Sequence, residues 1–309
     1  MQPSSSREND TRILLWFFGG PTLMLVVNFF LFPYPQPWYH WIADIPLFAG
    51  LLMLGAGWLD KNLHRGSQVK TVGWVLFALF WSTYTNLLYF SEGGDIFNAA
   101  VCVIGVYVLV YLAYHEWMAG KRGEHPTALA WIAGATFLAG IIYFSMEILL
   151  PVLSDVLIIV VANQTVWLLH ILGIPVTQDG ATILYHDYPV RIIFACTAIQ
   201  SLLLFVGMLG AIPRVSLQRK AVAMCATVIP VYLLNLVRNA GVVILAGGSI
   251  VSFDMAHNVI GKVGSLLALI ALLFLTFRLV PSLYDEIMGV LSLPKQQGAV
   301  ERFFRGKSR

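Results

Sequence analysis

Long apolar stretches joined by short polar connections run through most of this chain. The first, 13–32, is about 20 residues long, enough to cross a hydrocarbon core of about 30 Å as a helix. It is longer than the apolar region of a signal peptide and carries no small-residue cleavage site, so it is expected to remain in the protein. Further runs follow at 41–59, 72–90, 96–114 and 127–150, and again at 192–212, 221–246 and 258–280. This pattern predicts an all-α polytopic membrane protein with about eight transmembrane helices. The stretch 153–174 is equally long but carries Asp155, Asn163, Gln164, Thr165 and His170. It reads as an interfacial or re-entrant helix, with Leu153, Leu157, Val160, Val161, Leu168 and Leu172 on its apolar side. Between it and the sixth span, the pattern switches to β-branched residues around Asp179-Gly180, the signature of a short hairpin. That hairpin is either a lip over a site or a surface connection. The polar segment 1–12 is expected to be a disordered arm, 13–281 a single domain that includes an extracytoplasmic region at 151–191, and 282–309 a basic tail.

Composition agrees with the pattern. Hydrophobic residues make up 58% of the chain and charged residues 11%, against about 25% charged in ordinary globular domains. A net charge of +3 is too small and dispersed for nucleic-acid binding. The basic residues instead report orientation. Arg7, Arg12, Lys61, Arg65, Lys70, Lys121 and Arg122 fall in the N-terminal segment and alternate loops, whereas 33–40 and 91–95 hold none. Arg214, Arg219 and Lys220, and then the C-terminal tail, continue the series if 153–174 does not cross. Both termini are therefore expected in the cytoplasm of a plasma-membrane protein.

The orientation places three reactive side chains in one leaflet. Cys196 lies roughly 7 Å below the outer end of the sixth span, and Arg238 roughly 14 Å from the outer end of the seventh. His257 opens the eighth. An arginine at membrane depth costs at least about 2.5 kcal/mol, which marks it as a functional group unless it snorkels or braces the bundle through Asn235. The three together suit acyl transfer. Cys196 is the nucleophile, activated by neighbouring positive charge. His257 is general base and acid, and Arg238 stabilises the thiolate or oxyanion. Gln200, four residues after Cys196 on the same helical face, and Thr197 and Asn235 are further candidates for substrate binding. Cys102 and Cys225 read as small hydrophobes. The three cysteines have no ligand spacing, and the chemistry asks for no metal or cofactor.

Phe-Ala-Cys196-Thr-Ala-Ile-Gln-Ser, then Asn-Leu-Val-Arg238-Asn, then Ala-His257-Asn on the next span together resemble the exosortase/archaeosortase family, most closely its archaeosortase branch. The resemblance covers roughly residues 40 to 285. It implies a cysteine transpeptidase whose partners are exported proteins ending in a short motif of the Pro-Gly-Phe type, a hydrophobic span and a basic tail. The thioester on Cys196 would be resolved by a membrane phospholipid. The family's third position is histidine or arginine, and maps to His257, because Arg278 is expected at the opposite end of its span. Ala198 departs from the Cys-Thr-Gly or Cys-Ser-Gly more typical of the family. Two other readings stay open: an intramembrane cysteine protease that only hydrolyses, and a transporter binding an anionic solute at Arg238 and Lys262.

Overall fold

The computed structural model describes residues 4–91, 96–296 and 298–305. Among them the helices are α1 (Ser4–Leu31), α2 (Asp44–Leu59), α3 (Leu63–Phe90), α4 (Ile96–Arg122), α5 (Thr127–Phe144), α6 (Pro151–Ile171), α7 (Ile199–Ala211), α8 (Leu217–Gly247), α9 (Lys262–Leu279), α10 (Pro281–Leu291) and α11 (Ala299–Phe304). Seven helical stretches are long and apolar enough to cross a membrane, and α7 is a shorter apolar helix. With the more polar, 28-residue α3, the mostly helical architecture expected from the hydropathy pattern is present. The chain is a multi-pass membrane protein. It groups into two compact units, 1–137 with 286–309, and 138–285, where a single domain over 13–281 was expected. Helices in lipid need no common hydrophobic core, so contacts stay local.

In the first unit, α3 packs against both α2 and α4. Asn62 caps α3 by accepting a hydrogen bond from the Arg65 amide, which starts the helix well before Lys70. Lys70 is therefore not the free loop charge that the topology count assumed. Its ammonium is buried and lies 2.8 Å from the Glu116 carboxylate of α4.

Both terminal segments also depart from expectation. Helix α1 begins at Ser4, so the expected arm is helical from that residue on, and residues 1–3 lie outside the described residues. The tail folds back as α11. Val300 is fully buried beside Phe17 and Tyr114, and the Ala299 amide donates to the Tyr114 hydroxyl. Arg302 forks onto both Asp10 oxygens at 2.7 and 2.8 Å. Glu301 Oε1 accepts from the Tyr111 hydroxyl at 2.7 Å and from His115 Nε2 at 3.0 Å. Burial pushes the Glu301 carboxyl up, but the hydrogen bonds from His115 and Tyr111 outweigh it and hold the group below the usual carboxylate range. A carboxyl depressed in the folded state stabilises docking at neutral pH, and that contribution is lost as the pH falls through the lowered value. Limited proteolysis in native membranes should therefore release the tail in wild type only under acid conditions, and in Glu301→Ala already at neutral pH. Equal resistance of both proteins at neutral pH would refute this.

In the second unit, α7, α8 and α9 run alternately up and down. The start of α8 caps both neighbours: Lys220 Nζ donates to the Gly210 carbonyl at the end of α7, and Arg219 Nε to the Leu279 carbonyl at the end of α9. Cations at helix C-termini satisfy the orphan carbonyls and oppose the negative end of each dipole. At the other end of α8 lies an antiparallel sheet, β1 (Thr177–Asp179), β2 (Thr182–Tyr185) and β3 (Tyr188–Arg191), in that spatial order. The expected hairpin is thus a three-stranded meander. Gly180, at φ +54°, takes the first turn, while His186 and Asp187 take the second with positive φ. Ile183 and Val190 face inward onto α6 and α8.

Helix α6 is unbroken, unlike a re-entrant segment, and is long and apolar enough to cross a membrane. The polar residues that set it apart in the sequence are used internally. Asn163 accepts from Gln178 of β1, Gln164 from the Tyr232 hydroxyl of α8, and Thr165 donates to its own helix at Val161.

Candidate active site

Cys196 is not in the first turns of a membrane helix. Helix α7 starts only at Ile199 and has 13 residues, about 20 Å of rise. Cys196 precedes it in a 3-10 turn, Phe194–Thr197, followed by Ala198 in the left-handed region at φ +63°. An alanine there costs on the order of 1–2 kcal/mol. It stands at the position where the resemblance led us to expect glycine. A non-helical turn at membrane depth also leaves carbonyls that lipid cannot satisfy. Here α8 satisfies one: the Cys196 carbonyl accepts from Asn235 Nδ2 at 2.8 Å and from Asn239 Nδ2 at 3.0 Å. The thiol side chain is buried in an aliphatic cluster with Val161, Ile183, Val190 and Ala240. The sheet is therefore a packed wall of the cysteine turn.

The break changes the partners expected for this turn. Thr197 is fully buried and its hydroxyl donates to the Phe194 carbonyl at 2.6 Å. Because no continuous helix joins Cys196 to Gln200, the two do not share a helical face. Gln200 instead donates to the Tyr143 hydroxyl at 2.9 Å, which donates to Glu147 at 3.2 Å. Phe194 packs on the same tyrosine ring, at 5.5 Å between centroids. The end of α5 thus buttresses the turn. Tyr143 was not singled out in the sequence, where a tyrosine near a span end carries no distinctive pattern.

A cavity of about 320 Å³ opens between α8 and α9, and Ala198, Ser201, Asn235, Arg238, Gly261 and Ser265 are on its wall. Apart from these groups its lining is almost wholly aliphatic. Arg238 Nε is buried and has no hydrogen-bond partner among the described residues. Gly261 makes room for it: a Cβ there would lie 3.0 Å from Arg238 Nε and 3.2 Å from the Ala256 carbonyl. Gly261→Val is accordingly expected to push the guanidinium out of place and slow turnover about tenfold, read as processing rate at equal membrane content. An unchanged rate would show that the guanidinium position is not critical.

His257 belongs to a π-helical segment, Met255–Gly261, that leads directly into α9. Segments of this kind recur at functional sites. Its ring stacks on Phe253 at 5.3 Å and within 7° of parallel. The flanking residues Ala256 and Gly261 line the cavity. Arg278 lies in the last turn of α9, about 30 Å of helix away from His257. The structure therefore joins Cys196 directly to Asn235 and brings Asn235 and Arg238 to one cavity. Cys196, Thr197, Gln200, His257 and Lys262 are not on that cavity's wall, and Lys262 is exposed. Asn239 was missed, although its spacing of four from Asn235 in an apolar helix was a usable signal. Among the described residues no group of three His, Cys, Asp or Glu side chains gathers to hold a metal ion.

Residues 36–275 match the transmembrane exosortase family (Exosortase_EpsH). The chain is also similar to an archaeosortase A from Haloferax volcanii, at 26% identity over 283 residues, covering 78% of this chain and 90% of that protein. An archaeosortase A from Natronomonas pharaonis is 25% identical over 287 residues, covering 82% and 87% respectively. No solved structure matches.

Proposed function

Because the chain belongs to the transmembrane exosortase family, whose members are membrane sorting enzymes, we propose that it is a cysteine transpeptidase. Its substrates are exported proteins whose C-terminal signal combines a motif of the Pro-Gly-Phe type, a hydrophobic span and a basic tail. His257 takes the Cys196 thiol proton, the thiolate attacks the scissile carbonyl, and His257 returns that proton to the amine as the C–N bond breaks, while Arg238 stabilises first the thiolate and then the oxyanion. The acyl group stays on Cys196 as a thioester. A phospholipid headgroup gives its proton to His257 as it attacks the thioester carbonyl, the Cys196 thiolate leaves and takes that proton back, and the substrate becomes lipid-anchored.

The observation that carries this reading is the link through α8. Asn235 bonds the nucleophile's carbonyl, and one helical turn later Arg238 presents an unpartnered Nε at the same cavity. The aliphatic remainder of that cavity suits a hydrophobic substrate segment. The site lies at the end of the second unit opposite the basic turn Arg214–Lys220, which supports an outward-facing centre with cytoplasmic termini under the positive-inside rule. Helix α6 packs against the cysteine turn and against β2, which supports a position along the outer face.

The test is to incubate native membranes with a tagged protein carrying such a signal, quench, and map hydroxylamine-sensitive adducts. An adduct on Cys196 that accumulates when the acceptor lipid is depleted is the expected result. An adduct that turns over equally fast without lipid would replace transfer by hydrolysis. No adduct, with substrate left intact, would overturn the reading.

A further inference from the structure

The geometry points to Asn235 and Asn239 as positioning residues that together hold the Cys196 carbonyl and so set the nucleophile's turn in register with Arg238. The inference rests on Cys196 being the nucleophile. The turn cannot hold itself. It is non-helical, it is followed by a left-handed alanine, and the thiol's neighbours are aliphatic side chains whose packing has little directionality. Its carbonyl points sideways to α8, where one lone pair takes the Asn235 amide at 2.8 Å and the other the Asn239 amide at 3.0 Å. Both asparagines are buried, at 8% and 3% exposure, so water does not compete for the carbonyl.

The donors are neutral, so they hold the carbonyl without adding a charge of their own beside Arg238. Positions 235, 238 and 239 fall within little more than one turn of α8. Anchoring the carbonyl between the two amides therefore fixes the cysteine turn along the same short stretch that carries the guanidinium. A shift of one residue along the helix would displace the turn by about 1.5 Å relative to Arg238. Misplacement on the scale of 1 Å is enough to cost about 10²-fold in rate. Since both donors share one acceptor, either alone retains part of the restraint, and their losses combine more than additively.

Single-turnover kinetics of the full chain in membranes test this. Asn235→Ala and Asn239→Ala are each expected to slow thioester formation several-fold, and the double variant about 10²-fold, with KM within twofold of wild type. The pH profile of Cys196 alkylation should shift in the double variant, a change that loss of stability alone would not produce. A folded double variant with the wild-type rate, or one whose KM rises while kcat is kept, would overturn the inference; the latter would make Asn235 a substrate contact. Should the double variant fail to fold, the near-isosteric Asn239→Asp, which faces the carbonyl with oxygen in place of the donor, is expected to slow thioester formation, and a full rate would overturn the inference equally. Processing retained in Cys196→Ala would remove the nucleophile assignment and this inference with it, whereas loss of the positioning effect alone leaves the nucleophile intact.

Discussion

Cys196→Ala is expected to abolish processing of exported substrates, a loss of about 10⁴-fold or more, while the protein accumulates in the membrane at its normal level. The size of the effect follows from the absence of any substitute nucleophile on the turn. Thr197, the adjacent hydroxyl, is fully buried and donates to the Phe194 carbonyl. Normal accumulation follows from the packing. A buried cysteine acts as a small hydrophobe, and alanine keeps the backbone carbonyl that Asn235 and Asn239 hold. Two controls make the result specific. Cys102 donates to the Trp81 carbonyl in the first unit, and Cys225 is exposed on α8, so Cys102→Ala and Cys225→Ala should process normally. Arg238→Lys should retain charge but lose the planar guanidinium, and is expected to fall between wild type and Cys196→Ala. Normal processing by Cys196→Ala would refute the cysteine mechanism outright.

The second large effect concerns stability in the first unit. Lys70→Met is expected to destabilise that unit by about 3–5 kcal/mol, because it leaves the Glu116 carboxylate buried without its cation. Only 8% of the Lys70 side chain and 1% of the Glu116 side chain are exposed, so neither charge can turn to water without moving its helix. The pair itself is a different matter, since replacing both members with apolar residues removes both desolvation penalties. Lys70→Met with Glu116→Leu should therefore be more stable than either single variant. Thermal unfolding in detergent, followed by the exposure to thiol reagent of Cys102, which is buried on α4 against α3, gives the ranking. A double variant no better than the worse single one would show that the carboxylate is not what the lysine neutralises.

Much of this molecule is written locally. Whether a segment of about 20 residues partitions into lipid depends on the sum of its own side chains, so the apolar runs predict the helices and the membrane class without knowledge of their neighbours. The same holds for the hairpin turn at Gly180, where a short-range conformational preference decides. The chemical candidates were legible because an arginine such as Arg238 within an apolar run is costly in itself. Other features depend on what packs against a residue. The helix expected to contain Cys196 begins after it, because Asn235 and Asn239, 39 and 43 residues along the chain, satisfy a carbonyl that would otherwise require the helix. Gln200 consequently faces Tyr143, and the alanine at 198 gave no local sign of the left-handed turn. Asn163 and Gln164 marked α6 as polar for a span when counted alone, but their side-chain oxygens accept from Gln178 and Tyr232. Lys70 counted as a loop charge until Glu116 stood beside it, and the basic tail as free until Tyr111 and His115 received Glu301. Hydropathy weighs each side chain against solvent or lipid. A hydrogen bond or ion pair replaces both with a partner that only the folded chain brings within about 3 Å.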